Sequence, residues 1–273
     1  DKGTYSDDNL QLSTVAESNS PLIIQGAGKT LTVFDCDLDA NTTERFMSIT
    51  INGTNITISD LTIKDASVSG NGAGFNITTT GSVTLQDLII DNCDISGANS
   101  GGGVYVSSSS TATIDRCIFR NNNTANNPSS FGTCVYTEGT TTVQNCLLYD
   151  NSLEYGYSHV SGHIHNKTGT LSMKNCTVTE NTSVAGYSGD IFVESGTVTA
   201  TNCILYNNSG TDNMNRSTGS ATISYSLYDD GTGGTVTAST GNITNTDANP
   251  IFMDATTDDF RISAISPCRE KGT

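Results

Sequence analysis

Thr142–Asn151 reads T-V-Q-N-C-L-L-Y-D-N, and the chain writes variants of it repeatedly. Aligned on Cys146, the copies give one column: Cys36, Leu61, Leu88, Cys117, Cys146, Cys176, Cys203 and Ser226, at steps of 23 to 30 residues. Self-similarity at this period marks a stack of repeated units, each too small to bury its own apolar face. Two residues after the cysteine stand Leu38, Ile63, Ile90, Phe119, Leu148, Val178, Leu205 and Tyr228. Three before it stand Val33, Ile58, Leu85, Ile114, Val143, Met173, Ala200 and Ile223, and five before it begins a similar column with Leu31, Ile56 and Val83. Such period-two runs are short strands with one buried face. The alternation slips by one residue just before the cysteine, which marks a corner between two strands.

Five residues after the cysteine comes a polar column that includes Asn122, Asn151, Asn181 and Asn208. Asparagine tolerates left-handed turns, and amides stacked coil upon coil can also pair with one another. A third strand follows in the middle copies, as in Val104-Tyr105-Val106, Val135-Tyr136-Thr137 and Ile164-His165-Asn166. Three short strands per turn of about 28 residues predict an all-β, right-handed parallel β-helix of about 8–10 coils. At ~4.8 Å per coil it would be a rod roughly 45–50 Å long. Residues 1–28 read as an N-terminal cap or arm with the first coil, 29–246 as the helix, and 247–273 as a closing segment whose Phe252, Phe260 and Ile262 plug the last coil.

Phe119-Arg120-Asn121-Asn122 and Gly101-Gly102-Gly103-Val104 resemble the Phe-x-x-Asn and Gly-Gly-Ala-Ile repeats of bacterial polymorphic outer-membrane proteins. The stretches Asn249-Pro-Ile-Phe, Asp259-Phe-Arg-Ile and Ser266-Pro-Cys-Arg-Glu-Lys-Gly272 resemble the terminal segment of secreted β-helix proteins of the choice-of-anchor type. The resemblance implies membership of the pectate-lyase-like superfamily, which holds lyases, hydrolases, adhesins and structural rods. It covers about residues 30–273, and it specifies fold better than function.

Composition narrows the function. The 273 residues are only 34 % apolar, with no Trp and a net charge of −16. That charge makes nucleic acid a poor partner, and no apolar run is long enough for membrane insertion. The dominance of Thr, Ser, Asn and Gly over Lys reads as extracellular or cell-surface, and the resemblance adds a bacterial source. A chain that opens on Asp1 with no leader reads as a processed region. Cys36, Cys117, Cys146, Cys176 and Cys203 share an inward column and read as free buried thiols, with one vertical bridge as the alternative.

Three surfaces are candidate sites. The first is rich in histidine: His159, His163 and His165 fall within seven residues, beside Tyr155 and Tyr157. Outward positions of the third strand stack Asn76, Tyr105, Tyr136, His165 and Phe192, and a neighbouring column, Gly74, Gly103, Cys134, His163 and Asp190, is read as outward too. This face could bind sugar rings, or use His163, His165 and Asp190 for proton transfer, or be a stabilising stack. The second is acidic: Asp35, Asp60 and Asp87 stack at the corner with Asp37 beside them. They suit Ca²⁺ as a cofactor, or a self-compensating face, since Arg116 comes next. By the resemblance, polygalacturonases work with several aspartates and pectate lyases hold Ca²⁺ on acidic residues. The third is an apolar outward stripe of Ile89, Ile118, Leu147, Ile204 and Leu227, with Tyr149 and Tyr206 two residues further on. A terminal segment of the chain covers it, or another subunit does.

Together these features predict a non-catalytic structural or adhesive protein whose partner is itself, as a homo-oligomer or filament, or a surface glycan or protein. The alternative is a polysaccharide lyase or hydrolase, or a glycan-binding module. A lyase would want cations against uronate carboxylates, and the third-strand face offers Lys167 alone.

Overall fold

The computed structural model describes residues 2–5, 10–12, 21–37, 44–124, 129–154, 161–183, 189–210, 212–229, 236–239, 241–244 and 249–269. Among these the chain coils into three parallel sheets. Sheet one holds the strands before the cysteine column, from Leu22–Gln25 and Ile56–Ser59 through Thr140–Gln144 to Thr237–Ala238. Sheet two holds those after it, from Gly3–Tyr5 and Thr32–Asp35 through Leu147–Tyr149 to Ile243–Thr244. Sheet three runs from Leu10–Leu12 through Ile164–Asn166 to Met214–Arg216. The described strands number nine, ten and eight in the three sheets, matching the expected coil count. A short ladder between sheets two and three joins Ser67–Val68, Asp94–Ile95, Asn123–Thr124, Ser152–Leu153 and Thr182–Ser183.

The corners explain the repeat. Asp60, Asp87, Arg116, Asn145, Asn175, Asn202 and Tyr225, each just before the cysteine column, adopt φ between 49° and 60°. Most are Asp or Asn, whose short polar side chains best tolerate that left-handed geometry. A second left-handed corner falls at Asp65, Asn92, Asn121, Asp150, Glu180 and Asn207. These residues immediately precede the asparagine column, so the left-handed residue is the neighbour and not the column itself. Inside, Ile58, Leu85, Ile114, Val143 and Met173 from sheet one meet Ile63, Ile90, Phe119, Leu148 and Val178 from sheet two, all buried. The cysteines are free, and burial pushes the Cys134 and Cys146 thiols up.

The first copy of the repeat is in a different register from the one expected. Leu22 and Ile24 pair with Ile56 and Ile58 in sheet one, while Val33, Phe34 and Asp35 pair with Thr62, Ile63 and Lys64 in sheet two. Cys36 therefore follows a sheet-two strand and is not a member of the cysteine column. Gly3–Tyr5, Leu10–Leu12 and Leu22–Gln25 contribute one strand to each sheet, so the N-terminal residues extend the solenoid itself. Tyr5, Phe34, Phe46 and Phe75 follow one another with ring centroids 5.0 to 5.4 Å apart at this end of the core. Leu38 lies outside the described residues.

Candidate functional site

The third-strand stack forms as expected. Asn76, Tyr105, Tyr136, His165 and Phe192 stand side by side on successive strands. The Tyr105 and Tyr136 rings are 5.6 Å apart and nearly parallel, and Tyr136 lies 5.0 Å from His165. The stack is closed and not an open platform: Tyr136 is 4 % exposed, His165 1 % and Phe192 1 %. Phe131 covers His165 at 5.0 Å, a contact no strand periodicity announces, because Phe131 comes from a loop. At the rim, Tyr105 donates to Glu138 at 3.3 Å, Lys167 pairs with Glu138 at 3.4 Å, and His165 Nε2 meets Glu194 at 3.3 Å. Burial pushes the His165 imidazole down in pKa, while Glu194 pulls it back up. His159, Tyr155 and Tyr157 lie outside the described residues.

The neighbouring column faces inward, which corrects the expectation. Cys134 sits in the apolar core, and a Cβ on Gly103 would strike the buried Phe119 ring. His163 is wholly buried: Nδ1 lies 2.7 Å from Thr133 Oγ1 and Nε2 lies 3.2 Å from Ser183 Oγ. Desolvation drives its pKa down to about 3, so the ring is neutral. Asp190, also wholly buried, accepts from Asn208 Nδ2 at 3.0 Å and Asn213 Nδ2 at 2.9 Å.

Asn208 ends a ladder that runs up the interior. Asn122 donates to Asn151, Asn151 to Asn181, and Asn181 to Asn208, at 2.8 to 2.9 Å. Each acceptor oxygen also takes the backbone N–H of the asparagine one coil earlier, at 2.9 to 3.1 Å. The pairing of stacked amides was legible in the column. Its junction with Asp190, which comes from another part of the coil, was not.

The acidic corner divides. Asp60 and Asp87 occupy the same corner position on successive coils, but Asp35 falls in the column of Lys64, Asp91 and Arg120. Asp60 accepts from Gln25 and Ser59, each at 2.9 Å. Asp87 takes both Arg116 Nε and Nη2, at 3.0 and 2.8 Å, which lowers its pKa. Asp35 pairs with Lys64, Asp37 donates its backbone N–H to Asp35 at 3.4 Å, and Arg120 pairs with Asp91 at 2.7 Å. The four proposed Ca²⁺ ligands are thus not gathered at one point. Among the described residues, no three His, Cys, Asp or Glu side chains are grouped to hold a metal.

One carboxyl is anomalous. Asp94, on the short ladder, is pushed up to about 6 by burial, with Glu154 and Asp65 adding repulsion and a hydrogen bond from the Asn123 backbone opposing them. A raised carboxyl stabilises the fold below its unfolded pKa, and that contribution is lost as pH rises through about 6. Asp94→Asn is therefore expected to stabilise the protein at pH 8 by about 2 kcal/mol and to have little effect at pH 4, read from urea unfolding at the two pH values.

The apolar stripe forms, and its later coils meet the chain's own hairpin near Tyr149 and Tyr206. Ile89, Ile118, Leu147, Thr177, Ile204 and Leu227 pair in register on sheet two. An antiparallel hairpin, Phe252–Asp254 with Asp259–Ile262, packs on its later coils. Phe260 stacks 5.2 Å from Tyr149, Phe252 lies 6.2 Å from Tyr206, and the two phenylalanines are 5.3 Å apart. Phe252 and Phe260 therefore pack on the side of the rod and do not plug its end. Cavities of about 240 and 420 Å³ remain under the strap, one lined by Ile204, Leu227, Ile243 and Ile262, the other by Leu147, Thr177 and Phe260. Ile89 and Ile118 lie earlier on the stripe and are half-buried.

No curated protein matches the chain. Residues 48–244 match the family described as the right-handed β-helix region. That span takes in most of the coils and, among the described residues, the left-handed Asp, Asn and other corner residues from Asp60 to Tyr225, and it settles the hand of the solenoid: the chain belongs to the right-handed β-helix family.

Proposed function

We propose that the protein is an extracellular, non-catalytic structural or adhesive rod that works by presenting its faces to a second copy of itself or to a surface ligand. The observation that carries this reading is the burial of the proton-transfer candidates: His163 and Asp190 serve an internal polar seam, and His165 is walled in by Tyr136, Phe192 and Phe131. A neutral imidazole with both nitrogens engaged inside a core is a poor general base for an outside polymer. The half-buried Ile89 and Ile118, beyond the strap, supply an apolar sheet face for self-association.

Light scattering and negative-stain microscopy of the full chain, with and without Ca²⁺, test this. Ordered multimers or filaments are expected. Ile89→Asp/Ile118→Asp should weaken their assembly by about a hundredfold, since two apolar side chains that would be buried become charged. A monomer in both conditions that cleaves a uronate polymer, and loses that activity in His163→Ala/His165→Ala with its fold intact, would overturn the proposal in favour of a polysaccharide-active enzyme.

A further inference from the structure

Sheet one turns two ranks of hydroxyl side chains to the outside. In-register pairing places Ser82, Thr111, Thr140, Thr170, Thr197 and Ser220 side by side on successive coils. Two residues further along the same strands stand Thr84, Thr113, Thr142, Ser172, Thr199 and Thr222. The first rank is exposed throughout and the second is half-exposed or exposed. The residues between them, from Val83 to Ala221, are buried and anchor every strand to the core. The register does not slip across these coils, so the hydroxyls form a two-dimensional array spaced ~4.8 Å along the rod and ~6.6 Å along the strand.

Threonine is common on strand surfaces, and neighbouring threonines can stabilise a sheet by bonding to each other. Mutual bonding does not account for this array: among the described residues, no hydroxyl in either rank has a hydrogen-bond partner. Elsewhere on the rod Ser110, Thr168, Ser195 and Thr218 all close on backbone carbonyls. The array's hydrogen-bonding capacity is directed outward. Its two ranks contain no aromatic ring on which a sugar could stack and no charge for a polyanion. The next rank along the strands, Gln86, Asp115, Gln144, Lys174, Thr201 and Ser224, is mixed and carries charge at Asp115 and Lys174, so it bounds the field over its central coils. A neutral, rigid lattice of hydroxyls interleaved with methyls fits a neutral, periodic, hydrogen-bonding solid.

We propose that this face of sheet one binds ice. Both repeat distances are comparable with oxygen spacings on the prism face of hexagonal ice. The hydroxyls would take up lattice positions, and the threonine methyls would fill the hollows between them. Each contact is weak, and binding grows with the number of coils in register, as in any multivalent contact. The surface lies on sheet one and is independent of the self-association stripe on sheet two.

The test uses the full chain, fluorescently labelled, in solution under a growing ice front, together with an assay of ice recrystallisation. The protein is expected to enter the ice and halt recrystallisation. Thr113→Tyr and Thr142→Tyr, made separately, each place a bulky ring in the centre of the array while keeping a good strand former, and each should abolish both effects with an unchanged thermal melt. Ser69→Tyr, on an exposed bend away from sheet one, should retain both. Exclusion of the wild type into the liquid, like that of a serum albumin control, would overturn the proposal. So would unchanged ice binding in both tyrosine variants, or binding to crystalline cellulose or chitin that is lost in those variants without any ice binding.

Discussion

Asn151→Ala is expected to destabilise the protein by about 4 kcal/mol, because it strips a buried ladder of several partners at once. The Asn151 carbonyl accepts the side-chain amide of Asn122 at 2.8 Å and its backbone N–H at 3.1 Å. Its own amide donates to the backbone carbonyls of Phe119 and Tyr149 and to Asn181, at 3.1, 2.9 and 2.8 Å. Asn151 is wholly buried, so no water replaces these bonds. Each buried group left without a partner costs about 1–3 kcal/mol. Asn151→Asp should do at least as much damage, since an acceptor-only carboxylate would face the Phe119, Tyr149 and Asn181 oxygens. Equilibrium unfolding in urea measures both. A loss under about 1 kcal/mol would mean that the coils relax around the gap and the ladder is not a principal support.

Acid should unfold the protein in a window set by His163. Burial lowers its folded pKa to about 3, against about 6.5 in an unfolded chain. Below about pH 6.5 the unfolded state takes up a proton that the folded state refuses, so stability is full above that value and falls progressively towards pH 3. The integrated loss is about 4 kcal/mol at pH 3. His165, also pushed down by burial, acts in the same direction, whereas relief of Asp94 between about pH 6 and 4 opposes it. Unfolding free energies measured from pH 7 to pH 3.5 should show the decline in the wild type and a shallower one in His163→Gln, which offers similar hydrogen bonding without a titrating ring. Parallel slopes for the two proteins would remove His163 as the cause.

The solenoid could be read from the sequence because its period is carried by residues that answer to local rules: apolar columns at spacing two and a left-handed Asp or Asn at the corner. The reading failed where a local rule was carried beyond its element. Strand alternation continued back from His165 and Phe192 would turn His163 and Asp190 outward, but the strands begin at Ile164 and Ile191 and the backbone bends before them. Cys36 imitates the cysteine column because the first coil inserts extra residues around Gly28 and Leu31 between its strands, and a sequence alignment has no means of weighing that insertion. The hydroxyl ranks run through six successive copies, from Ser82 and Thr84 to Ser220 and Thr222, yet threonine on a strand is too ordinary to notice until, among the described residues, each hydroxyl is seen to lack a partner.

The hairpin strap changes how the rod can come apart. A simple solenoid is a one-dimensional stack in which each coil is held only by its neighbours, so an end can fray one coil at a time. Phe260 on Tyr149 and Phe252 on Tyr206 join coils that are not adjacent, since the strand Thr177–Thr179 lies between them. Loss of the outermost of these coils must also loosen the inner one. The hairpin thus acts as a rivet, turning the later coils from a zipper into a single cooperative block.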